Sequence, residues 1–199
     1  LNWQKKLIAY GKKKKEQIRN YDVLRVRMRR FFAMIIDWYL AQMIAVIPIT
    51  FYFRGDDYLK ASMFQLENYD FEIGLFLGVF GIIVGIIYYV LVPILLWKGQ
   101  TIGKKICKIK IVQVDGSPVK PLSIIVRELI GSTFLEGGII IIATYIRRML
   151  PLFGLTVLVD PLKYIAYGLT IASIVYAYFQ PLSQAFHDKI AKTVVVNEK

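Results

Sequence analysis

The sequence has a single cysteine and a single histidine. With Cys107 alone, no disulfide can close within the chain and no CxxC metal or redox pair exists. With His187 alone, there is no histidine cluster for zinc and no convincing nucleophile–base–acid set. Gly99-Gln-Thr-Ile-Gly103-Lys104-Lys105 is the nearest approach to a phosphate loop. It is one residue short, has no Ser or Thr after the lysine, and does not join a strand to a helix. No enzymatic activity, cofactor or bound metal is expected. Acidic residues are also scarce, at 14 Asp and Glu against 26 Lys and Arg, for a net charge of +12. Residues 1–30 contain no apolar h-region, so no cleavable signal peptide is expected there.

Apolar residues are what the chain has in excess. They make up 56% of its 199 residues, and the mean hydropathy is +0.50. A soluble domain of this length needs a polar surface over its core, whereas here the apolar residues come in long blocks. The expected class is an all-α integral membrane protein with about four transmembrane helices. A basic chain can hold nucleic acid or an anionic membrane surface. The apolar blocks favour anionic lipid headgroups, and no nucleic-acid partner is expected.

Residues 1–30 form a basic arm with 11 Lys and Arg against Glu16 and Asp22. Trp3, Leu7, Ile8, Tyr10 and Ile18 punctuate the charge, as in an amphipathic segment lying on anionic lipid; the plainer alternative is a solvated tail. A transmembrane domain over 31–199 follows, with spans expected at about 31–53, 73–97, 122–146 and 162–180. The first contains Asp37, and Pro48 is placed to kink its far end. The loop after it, 54–72, is acidic. The second span has no charge at all, and Gly74, Gly78, Gly81 and Gly85 line one helical stripe, which lets another helix approach closely. The connector 98–121 is basic, with Lys104 among its charges. Its IKIVQV run and Asp-Gly-Ser-Pro turn predict a short extended segment.

The third span carries Arg127, Glu128 and Glu136, which must face protein or water rather than lipid. Residues 147–163 are apolar but broken by Pro151, Gly154 and Pro161, as in an interfacial or re-entrant segment. The tail ends in a β-branched run, TVVV. Basic residues in the arm and connector, set against the acidic 54–72 loop, orient the chain with both termini in the cytoplasm. Arg147, Arg148 and Lys163 fall on the opposite side in that arrangement.

Arg30 opens the first span and Asp37 lies seven residues on, so both share one face about 10 Å apart along the axis. They are too far apart to pair directly. A carboxylate two turns into a membrane helix is a functional candidate; the structural alternative is an anchor paired with Arg127 or another base.

Three segments together resemble the RDD family of bacterial membrane proteins. They are Arg30-Phe-Phe-Ala33-Met-Ile-Ile-Asp37; TIGKKICKIKIVQVDGSPVKP with Ile125-Val-Arg127-Glu-Leu; and Ala185-Phe-His187-Asp188-Lys-Ile-Ala191-Lys192-Thr193-Val-Val. The usual Ala-Gly-Thr stands here as Ala191-Lys192-Thr193. The resemblance implies a multi-pass domain in the bacterial cell membrane whose Arg30, Asp37 and Asp188 are central. Some members of that family are linked to sodium–proton antiport, others to partner proteins or to resistance against membrane-active peptides.

Two expectations follow. In the first, the chain exchanges a small cation such as sodium for protons as a homo-oligomer. Asp37 is then the exchanging carboxylate, Arg30 or Arg127 tunes it, and Asp188 and Glu136 are accessory. In the second, it is a membrane-embedded interaction or regulatory subunit without transport. Its glycine stripe then grips a partner helix, and Arg30, Asp37, Arg127 and Asp188 form a polar clasp. In either case the connector lysines, Arg30 and the His187–Asp188 segment are expected to meet on the cytoplasmic side.

Overall fold

The computed structural model describes residues 23–52 and 61–198. The amphipathic reading of the arm and the first part of the acidic loop lie outside these residues. Helix α1, Val23–Tyr52, begins two turns ahead of the expected first span, so Arg25 to Arg30 are helical and continuous with it. Helix α2 runs over Phe71–Leu96. Together with Thr156–Phe179, these supply three helices long and apolar enough to cross a membrane.

The expected third span is not one straight helix. Helix α4, Pro121–Glu136, ends at a break, and α5, Ile141–Met149, leaves it at 50°, the pair making a fourth candidate span. Gly137 causes the break: it adopts φ +62°, a left-handed conformation that ends helices. Arg147 supplies the compensation. Its guanidinium donates to Gly137 O at 2.6 Å, satisfying a carbonyl the broken helix leaves free. The 147–163 segment forms short 3-10 turns, Leu150–Phe153 and Thr156–Leu158, leading into α6, Val159–Phe179.

The glycine stripe of α2 is filled from within the chain. A Cβ at Gly81 would sit 2.5 Å from the Tyr145 ring, one at Gly85 2.5 Å from Ile142, and one at Gly74 3.0 Å from Leu152. Gly78 is closed by Met149. Helix α5 and the turn after it therefore occupy the close-packing surface. The core formed there holds Tyr145, Ile141, Leu66, Ile49 and Ala41. This corrects the expectation that the stripe grips a separate partner.

Two stretches widen into π-helix, Ile87–Leu96 in α2 and Val126–Glu136 in α4. Such i→i+5 turns are rare and concentrate at functional sites. Here they carry Tyr88, Tyr89, Arg127, Glu128 and Glu136.

At one end of the bundle, the connector folds into α3, Ile102–Ile106, and strand β1, Ile109–Gln113. The β-branched tail forms β2, Thr193–Asn197, antiparallel to β1 with Ile111 opposite Val195. Ile109, Ile111 and Val195 pack on Val26 and Ala33 of α1. Ile109 and Ile111, on one face of β1, are buried against α1, and this fixes its register. Between α6 and β2, the short helix α7, Phe186–Ile190, packs against α4.

Candidate functional site

Asp37 is buried, and its surroundings are all donors. Tyr88 Oη donates to Oδ1 at 2.7 Å, Thr101 Oγ1 to Oδ2 at 2.5 Å, and the Gly103 N–H to Oδ1 at 2.7 Å. Lys104 Nζ stands 3.4 Å from Oδ2. The carboxylate thus ties α1 to α2 and to the first turn of α3. The fit depends on Gly103, where a Cβ would lie 2.5 Å from Ala33 O and 2.7 Å from Asp37 Oδ1. Arg127 is not Asp37's partner, which removes that form of the anchor reading.

A second cluster gathers around Asp188. Its Oδ1 accepts from Arg127 Nε at 3.1 Å. Its Oδ2 accepts from Arg30 Nη2 and from the Ala185 N–H at 3.0 Å, closing the first turn of α7. Asp188 is fully buried. Burial alone would raise its pKa, but Arg30, Arg127 and the Ala185 N–H outweigh it and hold the carboxyl well below the usual range. Arg127 also pairs with Glu128, so its buried charge is shared between two carboxylates.

Glu136 ends α4 and reaches α6 and α7. Its Oε1 accepts from Ser173 Oγ at 2.6 Å, from the His187 N–H at 3.1 Å, and from His187 Nδ1 at 2.8 Å. On the other side of the ring, Arg30 Nη2 lies 2.9 Å from Nε2. A guanidinium can only donate, so Nε2 must accept and the proton sits on Nδ1. The hydrogen-bond pattern therefore assigns the neutral Nδ1–H tautomer. Glu136 Oε2 has no hydrogen-bond partner among the described residues. It is not enclosed by protein either, and Glu136 lines a cavity of about 340 Å³. Close approach of α7 to α4 requires Gly131, where a Cβ would meet His187 Cα at 2.6 Å.

The cavity lies between α1, α4 and α6 and brings both clusters together. Arg30, Asp37, Lys104, Arg127, Glu128, Glu136 and His187 all reach it, while Asp188 sits behind Arg30 and Arg127. Of the residues singled out in the sequence, only the four stripe glycines stand apart from this network. Reading the sequence missed Tyr88, Thr101, Ser173 and Arg27. Thr101 lies inside the Thr-x-Gly-Lys segment and could have been found there. Tyr88 and Ser173 sit in uncharged spans and carry no local signal.

The model of the RDD family matches residues 25–192 of the chain. No curated protein and no solved structure matches it significantly.

Proposed function

The chain belongs to the RDD family, and from that premise we propose that it exchanges a small cation for protons across a bacterial cell membrane. The observation that carries this reading is the Glu136 carboxylate, which lines the cavity with one oxygen fixed by Ser173 and His187 and the other without a partner among the described residues. Ionisable groups held inside a membrane domain next to a cavity mark ion and proton pathways. Glu136 can take a proton on Oε2, or release it to water and hold a cation there instead, without breaking the bonds on Oε1.

Asp37 takes a different part from the one expected of it. Four donors surround its two oxygens. It serves as the acceptor that holds α3 under α1, and Arg30 and Arg127 with Asp188 hold α7. These positioning pairs set the walls of the cavity, and Glu136 does the exchange.

The end of the bundle bearing α3, β1 and β2 carries the connector lysines and the start of α1. The bias of short-loop Lys and Arg supports a cytoplasmic position for that end and for both termini. Three to four spans enclose little of a path alone, so the exchanging unit is an oligomer. Cation flux in proteoliposomes under an imposed pH gradient tests the reading. Flux that needs Glu136 supports it, and no flux from well-inserted protein overturns it.

A further inference from the structure

The outer part of the cavity is a groove between α1 and α6 that the exchange chemistry leaves unused. It runs from Arg27 to Trp38, eleven positions along α1 and so roughly 16 Å. Phe31, Met34, Trp38 and Ile174 line it and are between 37% and 53% exposed. Arg27 stands at its mouth beside Tyr178.

Arg27 differs from the other arginines of the site. Its Nε donates to Ser183 Oγ at 2.6 Å and its Nη2 to Tyr178 O at 2.6 Å, while the guanidinium lies 4.8 Å from the centre of the Tyr178 ring. All these partners are neutral. Arg30 and Arg127 each hold a carboxylate, but among the described residues Arg27 holds none and its Nη1 has no partner. A guanidinium anchored by neutral oxygens, with donors still free, is complementary to a phosphate. It also lies two residues inside the Arg25–Thr50 candidate span, the depth at which a helix meets lipid headgroups.

We propose that the groove binds one anionic phospholipid of the surrounding bilayer, its phosphate on Arg27 and one acyl chain along Phe31, Met34 and Trp38. The apolar walls disfavour a free phosphate, which would lose hydration and gain a single cation. The bound chain closes the side of the cavity that faces lipid. The inference is independent of ion exchange, because the groove and its arginine stand whatever Glu136 does.

The test is native mass spectrometry of protein released from nanodiscs of phosphatidylglycerol and phosphatidylcholine mixed in equal parts. Wild type is expected to retain one phosphatidylglycerol in preference to phosphatidylcholine. Arg27→Gln should reduce that preference by roughly tenfold, because the guanidinium favours the net-anionic headgroup over one whose own quaternary ammonium offsets the phosphate. Ala177 of α6 also lines the cavity, and Ala177→Trp, which narrows the groove, should reduce retention of both lipids. Arg148→Gln, on α5 away from the groove, should leave retention as in wild type. Added inorganic phosphate should not displace the lipid. Equal retention of the two lipids by wild type, an undiminished preference in a folded Arg27→Gln variant, or displacement by inorganic phosphate would each overturn the proposal.

Discussion

Tyr88 and Asp37, 51 positions apart, share a hydrogen bond of 2.7 Å deep in the helix bundle. The phenol donates from the wide turns of α2, and the carboxylate sits on α1, so one contact fixes the register of the two helices. Burial and the neighbouring carboxylate leave the hydroxyl no role but donor. Tyr88→Phe removes one of the donors to Asp37 while keeping the ring, at a cost of about 1–3 kcal/mol for a bond to a charged group. Asp37→Ala strips all four donors of their acceptor and is expected to cost more, about 3–5 kcal/mol. Thermal unfolding of the two variants in mild detergent checks the order; equal losses would deny Asp37 its anchoring role.

Gly81 gives a second prediction. Its missing side chain is filled by Tyr145 of the same chain, so Gly81→Leu should dislodge α5 within the monomer. The expected result is a lowered unfolding temperature and exposure of the α5 region to proteolysis, with no dependence on protein concentration. A variant that kept its monomer stability and lost only self-association would return the stripe to an intermolecular role.

Lys192 carries a third. It adopts φ +53° in the turn between α7 and β2, a conformation that L side chains enter at a cost of about 1–2 kcal/mol. The resemblance to RDD proteins puts glycine at this position, and the backbone explains why. Lys192→Gly is expected to raise stability by up to about 1 kcal/mol, read as an increase in unfolding temperature. A decrease would mean that the lysine side chain does more than its backbone costs.

The second helix and the far end of the first were legible in the sequence because apolar length is a strong signal, but the basic run Arg25 to Arg30 hid that the first helix starts two turns earlier. The third span was expected at about 122–146, but the break inside it was not legible. Apolar composition runs through Gly137, and only its left-handed backbone reveals the break. The extended connector and the β-branched tail could each be seen, but not that they pair. That pairing needs two segments about 80 positions apart and a register set by Val26 and Ala33. At the site, charge in apolar context exposed Asp37, Arg127, Glu128 and Glu136. Tyr88, Thr101 and Ser173 stayed hidden because neutral hydroxyls become informative only once a carboxylate is placed opposite them.

Asp188 supplies the pH dependence. Its pKa in the folded chain lies below that of the unfolded chain. Its stabilisation is therefore fully present above the ordinary carboxylate value of about 4 and is lost as pH falls through the lowered folded value. Stability should thus show no contribution from Asp188 titration between pH 7 and 5. Asp188→Asn leaves Arg127 short of one buried partner and should cost about 3 kcal/mol across that same range. A penalty that vanished at pH 5 would place the pKa of Asp188 far above this assignment.

Sodium flux driven by a pH gradient in proteoliposomes, comparing wild type with Glu136→Gln, tests the central claim most directly. The amide can still accept from Ser173 and His187 but cannot carry the exchanged proton. The account predicts flux in wild type and background flux in Glu136→Gln, with the variant's unfolding temperature near that of wild type. Undiminished flux in the variant, or none in well-inserted wild type, would contradict it.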